Sequence, residues 1–166
     1  MRNLVVPAIR PYQPSDSSAC RACVVDMQNA ERDLDPRLLT GESMADAYLH
    51  QMHERCRDHA GTILIAEHAG AIAGLVMILT RVPFESLDEP PGDYALVAEL
   101  VVRDGLRGLG IGRALLRAAE RHAQESGATE LRIDALSANH SARQLYLVEG
   151  FAPYLETLAK PLNPDA

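Results

Sequence analysis

At 166 residues the chain has the length of one domain, and 47% hydrophobic with 23% charged residues excludes a disordered tail or a disulfide scaffold. A formal charge of −7, from 23 acidic against 16 basic residues, disfavours nucleic-acid binding through a broad basic surface and suits a neutral or cationic partner. The longest mostly apolar run, Ala71 to Leu79, is half of what crossing a bilayer requires, so no membrane partner is expected.

The first seventeen residues lack the pattern of a secretory signal. Three cysteines, an odd number, fit reduced thiols in a cytoplasmic protein. Of sixteen basic residues only Lys160 is a lysine, which disfavours Schiff-base chemistry. The spacing of Cys20, Cys23, Cys56 and His59 superficially matches a zinc set, but the first two fall inside a predicted helix, so no metal is expected.

In chain order, a β-prone run at Leu4 to Arg10 precedes a helical stretch that opens at Pro14, with Ser15 or Asp16 as its N-cap. Asp35, Pro36 and Gly41 break the pattern before a second helix at about Ser43 to Arg57, with Met44, Ala47, Tyr48, Gln51 and Met52 near one face. Thr62 to Glu67 and Ala71 to Thr80 read as a hairpin turning at Gly70. Residues 81–93 form a polar loop whose acids Glu85, Asp88, Glu89 and Asp93 are a solvated face or, alternatively, a rim that attracts cationic amines.

Tyr94 to Val102 then reads as a buried strand, and Ile111 to Ser126 as a helix with Ile111, Leu115, Ala118 and His122 in phase and Gly127 at its C′ position. Glu130 to Ala135 is a strand, Asn139 to Glu149 a short helix, and Phe151 to Ala159 a last strand closing the sheet. The order β, α, α, β, β, β, α, β, α, β implies an α/β fold with a mixed sheet and helices on both faces. Parallel pairing is expected only around the helix at Ile111, through a right-handed crossover.

The segment ELVVRDGLRGLGIGRALL joins a buried strand to a glycine loop and a helix. Unpaired N–H groups in a first helical turn carry partial positive charge, and glycines let a phosphate approach the main chain, so this is an anion-binding device. Arg107 and Arg113 flank it and would add charge-assisted bonds. A P-loop would need Lys and Ser/Thr where Ile111 and Gly112 stand, and the alternating Gly108, Gly110 and Gly112 fit a dinucleotide fingerprint poorly.

The pattern that fits is [QR]-x-x-G-x-[GA], met by Arg107, Gly110 and Gly112. Downstream, Asn139, Ala142, Tyr146, Gly150 and Phe151 meet N-x-x-A-x-x-x-Y-x-x-x-G-F. Through these two motifs the chain resembles the GNAT acetyltransferase superfamily over roughly residues 94–155. Asp104 departs from the family, where proline often follows the strand.

The resemblance implies a single N-acetyltransferase domain over residues 1–166, with a mostly antiparallel sheet splayed in the middle. It implies acetyl-CoA as co-substrate, its pyrophosphate held by main-chain N–H groups of Arg107, Gly108, Leu109, Gly110, Ile111, Gly112 and Arg113. Leu100, Val101 and Val102 would pair with the pantetheine arm, and Asn139 would hydrogen-bond it. Tyr146 occupies the family's general-acid position. Glu99, the ionisable group within the buried strand, is the candidate to take a proton from an amine or to hold a cationic substrate. Some of His50, His53, Cys56 and His59 are candidates to line an acceptor pocket.

The expected activity is acetyl transfer from acetyl-CoA to a primary amine, preferably a small molecule, by a direct ternary-complex mechanism. The alternatives are a protein N-terminal acetyltransferase, a non-catalytic acyl-CoA-binding or regulatory module, and a nucleotide binder. Members of the family often form homodimers, and the strand at Phe151 to Ala159 offers an edge for one.

Overall fold

The two apolar runs expected to form a hairpin do so, in a computed structural model that describes residues 6–162. β2 (Thr62–His68) and β3 (Ala71–Pro83) pair antiparallel. Ala69 and Gly70 between them both take positive φ, 51° and 77°, the twist that lets a two-residue turn join its strands. β3 runs three residues past its expected end at Thr80, because Val82 and Pro83 still find partners in Tyr94 and Asp93.

β1 (Ala8–Pro11) adds to the other side of β2, and β4 (Asp93–Val102) to the other side of β3, both antiparallel. The part of the expected first strand at Leu4 and Val5 lies outside the described residues. β5 (Leu131–Ile133) pairs parallel with β4, giving a mixed five-stranded sheet in the order β1-β2-β3-β4-β5.

The strand expected at Phe151 to Ala159 is not formed. Phe151 packs beside Tyr146, but residues 152–162 are all exposed and have no strand or helix. Pro153 has no N–H to give a ladder, and Tyr154 is drawn onto the Arg132 guanidinium, 4.5 Å from its ring centre.

α1 (Ser17–Leu34) and α2 (Gly41–Asp58) cover one face of the sheet. Their Cys20, Cys23, Val24, Ala45, Leu49 and Met52 pack on Ile63, Ile65, Leu75, Met77 and Leu79. The buried stripe of α2 is Gly41, Ala45, Leu49 and Met52, so Ala47 and Gln51, grouped by spacing with Met52, face solvent. Asp16 does not cap α1 with its side chain. It accepts the Gln13 N–H at 2.7 Å and an ion pair from Arg10 at 2.7 Å, which ties the entry of α1 to β1.

α3 (Ile111–Glu125) covers the opposite face, with Ile111, Leu115, Leu116, Ala119 and Ala123 against Ala73, Val76, Ile78, Ala95 and Val97. The alternation along β3 explains this division, since successive side chains point to opposite faces. Gly74 of β3 lies where β4 leaves no room for a side chain. A Cβ there would lie 2.3 Å from the Val101 carbonyl oxygen. α4 (His140–Val148) has Asn139 as its N-cap, its side chain accepting the Ala142 N–H at 3.2 Å.

Candidate active site

Two irregularities in β4 shape the site. Met77 pairs with Glu99 but Ile78 with Val97, so Ala98 is an extra residue, a bulge that bends the strand and re-aims its C-terminal half. β5 accompanies β4 only from Ala95 to Val97. From Ala98 onward the two strands diverge, and the β5-facing edge of Leu100, Val101 and Val102 has no strand beside it among the described residues. This is the splay that the resemblance implied.

β4 then enters the glycine loop. Arg103 turns back to pair with Asp26 of α1 at 2.6 Å, and the Asp104 N–H points to the same carboxylate at 3.5 Å. A proline at 104 would have no N–H to make that second contact. Gly105, Gly108 and Gly110 all have positive φ, 79°, 77° and 88°. Gly110 is the N-cap of α3, where a side chain would be strained.

The outcome is an unusual run of donors. Among the described residues, the seven successive backbone N–H groups from Arg107 to Arg113 donate no hydrogen bond to main chain or side chain. Leu106 before them bonds to Arg103, and Ala114 after them to Gly110. Seven open donors at the positive end of a fifteen-residue helix suit a polyanion.

The flanking arginines differ. Arg107 Nε lies 3.5 Å from the Val102 carbonyl oxygen, at the end of β4. Arg113 lies 2.7 Å from Glu149, which also holds Arg117 at 2.7 Å, so its side chain serves the junction of α3 with α4. The Arg113 Nε is the buried atom in that ion pair, its N–H poorly aligned with the Glu149 carboxylate. Its main-chain N–H belongs to the open run.

On the other side of β4, Glu99 is half-buried and accepts a short hydrogen bond from the Tyr48 hydroxyl of α2. Burial pushes the Glu99 carboxyl up to about 7, against the opposing effect of the Tyr48 hydrogen bond. Glu31 of α1 raises it further and Arg55 of α2 lowers it. Burial also raises Glu31 itself, whose carboxylate makes no hydrogen bond or ion pair with the described residues.

Tyr146 sits on α4 with its ring 6.1 Å from that of Phe151. Its hydroxyl has no partner among the described residues. Burial raises the phenol to about 12, with further upward contributions from Glu31 and Glu99. The structure thus brings Glu99 and Tyr146 into one electrostatic neighbourhood and adds Glu31 and Tyr48 to it. Asn139 spends its side-chain oxygen on capping α4, with Ser141 Oγ also 3.2 Å away.

Sequence reasoning did not mark Tyr48 and Glu31 as functional residues. The signal for Tyr48 was a lone hydroxyl on the apolar stripe of α2. For Glu31 it was an acid on the sheet-facing side of α1, half-buried rather than solvated.

The remaining candidates lie elsewhere. An open cleft of about 580 Å³ is lined by His50 and His53 with Tyr12, Ser17, Arg21 and Asp46, and none of Glu99, Tyr48 or Tyr146 borders it. Cys20 and Cys23 are fully buried in the core, and burial raises both thiols. Within the acidic loop, Glu89 pairs with Arg132 at 3.2 Å and Asp93 with Arg81 at 3.4 Å. Two of its four acids are therefore neutralised internally. Among the described residues no helix is long and apolar enough to cross a membrane.

A splayed mixed sheet, with a glycine loop feeding a helix at the splay, defines an acetyltransferase fold. The family model described as "Acetyltransferase (GNAT) family" matches residues 25–151, and the chain belongs to that family. Solved structures agree on the fold. A GCN5-related N-acetyltransferase from Ralstonia eutropha JMP134 is 23% identical with a TM-score of 0.69, the match covering 95% of this chain and 99% of that one. A transcriptional regulator from Bacillus halodurans C-125 is 19% identical with a TM-score of 0.73, covering 95% and 100%. An acetyltransferase from Trypanosoma brucei is 18% identical with a TM-score of 0.63, covering 95% and 100%. No curated protein sequence matches the chain.

Proposed function

We propose that the whole chain acts as one cytoplasmic N-acetyltransferase domain, transferring acetyl from acetyl-CoA to a primary amine in a direct ternary complex. The observation that carries this reading is the run of seven open N–H donors from Arg107 to Arg113. It offers the pyrophosphate of acetyl-CoA a full set of main-chain hydrogen bonds without requiring a lysine. The unpaired edge of β4 at Leu100 to Val102 suits the amides of the pantetheine arm, and a backbone N–H there can stabilise the thioester oxygen as charge develops on it.

Glu99, raised to about 7, is near the poise of a general base at neutral pH. It takes one proton from the bound ammonium. The free amine nitrogen then bonds to the thioester carbon and gives up its second proton to solvent, the C–S bond breaks, and the departing sulfur receives the Tyr146 proton. The phenolate takes a proton back from solvent and Glu99 releases the one it accepted, so one proton is set free per acetyl transferred. The two titrating groups are coupled in the useful direction. Ionised Glu99 helps to hold Tyr146 protonated, so neutralising Glu99 with the amine's proton makes the phenol a stronger acid when it must donate.

The acceptor favoured is a small cationic amine. Glu31 and Glu99 present two carboxylates to one neighbourhood, opposed there by Arg55. Attraction of an ammonium by such a pair is stronger in a partly desolvated site than in water. The test is a panel of small primary amines and of peptides with free N-termini, read by release of the CoA thiol. Amine-dependent release supports the reading, and release only with peptides moves the acceptor to a protein N-terminus. Acetyl-CoA binding with no release for any acceptor leaves a non-catalytic binding module.

A further inference from the structure

The half-buried charges of this chain are nearly all paired, as the cost of taking an ion out of water requires. Arg10, Arg21, Arg103 and Arg113 each face a carboxylate at 2.6–2.7 Å. Arg32 donates to the main-chain carbonyls of Pro36 and Leu38. Arg132 sits in a cage of the Phe84, Tyr94 and Tyr154 rings and is paired with Glu89 and Glu130. Two half-buried side chains stand apart. Glu31 of α1 and Arg55 of α2 make no side-chain hydrogen bond or ion pair among the described residues. They are opposite in charge, yet they do not meet each other.

Both flank Glu99. α2 meets β4 through the bond from Tyr48 to Glu99, and just past its end the His59 carbonyl oxygen accepts the N–H groups of Thr80 and Arg81 at 3.1 and 3.0 Å. Because Val82 then pairs with Tyr94, α2 runs back along β4 from Glu99 toward Tyr94. Arg55 follows Tyr48 by two turns on the same helical face, about 10 Å further along the axis. That places it over the first half of β4. Glu31 raises Glu99, Tyr48 and Tyr146 from the α1 side, whereas Arg55 lowers Glu99 and Tyr48. Burial alone moves Glu31, so Arg55 stands across the site from it. One unpaired acid and one unpaired cation, with the proton acceptor between them, complement a molecule that carries both charges.

We propose that Arg55 is a specificity-determining residue that binds a carboxylate of the acceptor, and that the acceptor is therefore an amino acid. Its ammonium lies between Glu31 and Glu99, and its carboxylate on the Arg55 guanidinium. Resting on the acetyl-transfer reading of the site, this narrows the acceptor from any small ammonium to one that also bears a carboxylate. A guanidinium holds a carboxylate through two parallel N–H bonds, which fixes direction as well as charge. Both leftover ions gain a partner at once, and the reacting nitrogen is held beside Glu99.

The test compares glycine, leucine, lysine and γ-aminobutyrate with the primary amide of each, by release of the CoA thiol, in the wild type, Arg55→Gln and Arg55→Lys. At least one acid is expected to exceed its amide in kcat/KM. The acid-to-amide ratio is expected to fall about tenfold or more in Arg55→Gln, through KM, and to recover in part in Arg55→Lys. The ratio is read because Arg55 also acts on Glu99, and a change in Glu99 affects acid and amide alike. In a second arm, calorimetric titration of the same pairs into the CoA-saturated protein reads the contact without turnover. Equal acetylation of acids and amides would overturn the carboxylate contact and leave acetyl transfer standing. Acid-selective binding that is lost in Arg55→Gln, with no thiol release, would keep the contact and remove acetyl transfer. A ratio unchanged in Arg55→Gln, or no acid preferred over its amide in turnover or in binding, would overturn the proposal.

Discussion

The Tyr48 hydroxyl donates to Oε1 of Glu99, joining residues 51 positions apart in sequence, one on α2 and the other just past the bulge in β4. The bond favours the ionised carboxylate, while burial favours the neutral acid, and Glu99 is left near neutrality. Tyr48 is therefore a positioning and tuning group for Glu99.

Tyr48→Phe removes a hydrogen bond to a charged group, worth about 1.5–3 kcal/mol. The Glu99 pKa then rises, and the acid limb of kcat/KM moves to higher pH. Activity at pH 7 falls about fivefold or more and recovers toward pH 9. A uniform loss at every pH would mean that Tyr48 acts by packing alone.

Glu99 also links stability to pH. Its folded value of about 7 lies above the ordinary 4.5, so between these values the folded state binds the extra proton. The favourable contribution is fully present below pH 4.5 and lost as pH rises through 7. Urea midpoints of the wild type are therefore expected to fall from pH 5 to pH 8 more steeply than those of Glu99→Gln. Parallel curves would contradict the assignment.

Gly74→Ala tests the close approach of β3 to β4. The new methyl meets the Val101 carbonyl oxygen at 2.3 Å, and the two strands must part. The cost is about 1–3 kcal/mol, a fall in Tm of roughly 3–10 °C for a chain of this size. Differential scanning calorimetry reads it directly.

Tyr146→Phe keeps the ring against Phe151 and removes only the acid. Steady-state kinetics are expected to show turnover reduced by about 100-fold or more, while calorimetric titration finds acetyl-CoA affinity within about twofold. Unchanged turnover would remove Tyr146 from the mechanism.

The local features of this molecule were legible in its sequence. The hairpin at Gly70, the helix from Ile111, its stop at Gly127 and the glycine loop each rest on spacing within a few residues, and each is formed. The features that were not legible depend on distant partners. Phe151 to Ala159 reads as a strand, but a strand exists only where an edge accepts it, and the Arg132 cage holds Tyr154 elsewhere. The spacing groups Ala47 and Gln51 with Met44, Tyr48 and Met52 on one face of α2, whereas packing on the sheet buries Gly41, Ala45, Leu49 and Met52. The Tyr48–Glu99 contact and the exposure of Glu31 to the same site are products of tertiary packing, with no local signature.

The central claim is that the open donors of residues 107–113 bind the pyrophosphate of acetyl-CoA. The most direct measurement is calorimetric titration of acetyl-CoA into the wild type and into Gly110→Val, which places a β-branched residue where φ is 88°. The account predicts saturable binding by the wild type and at least tenfold weaker binding by the variant, with the variant still folded by circular dichroism. No binding to the wild type, or equal affinity in a folded variant, would contradict it.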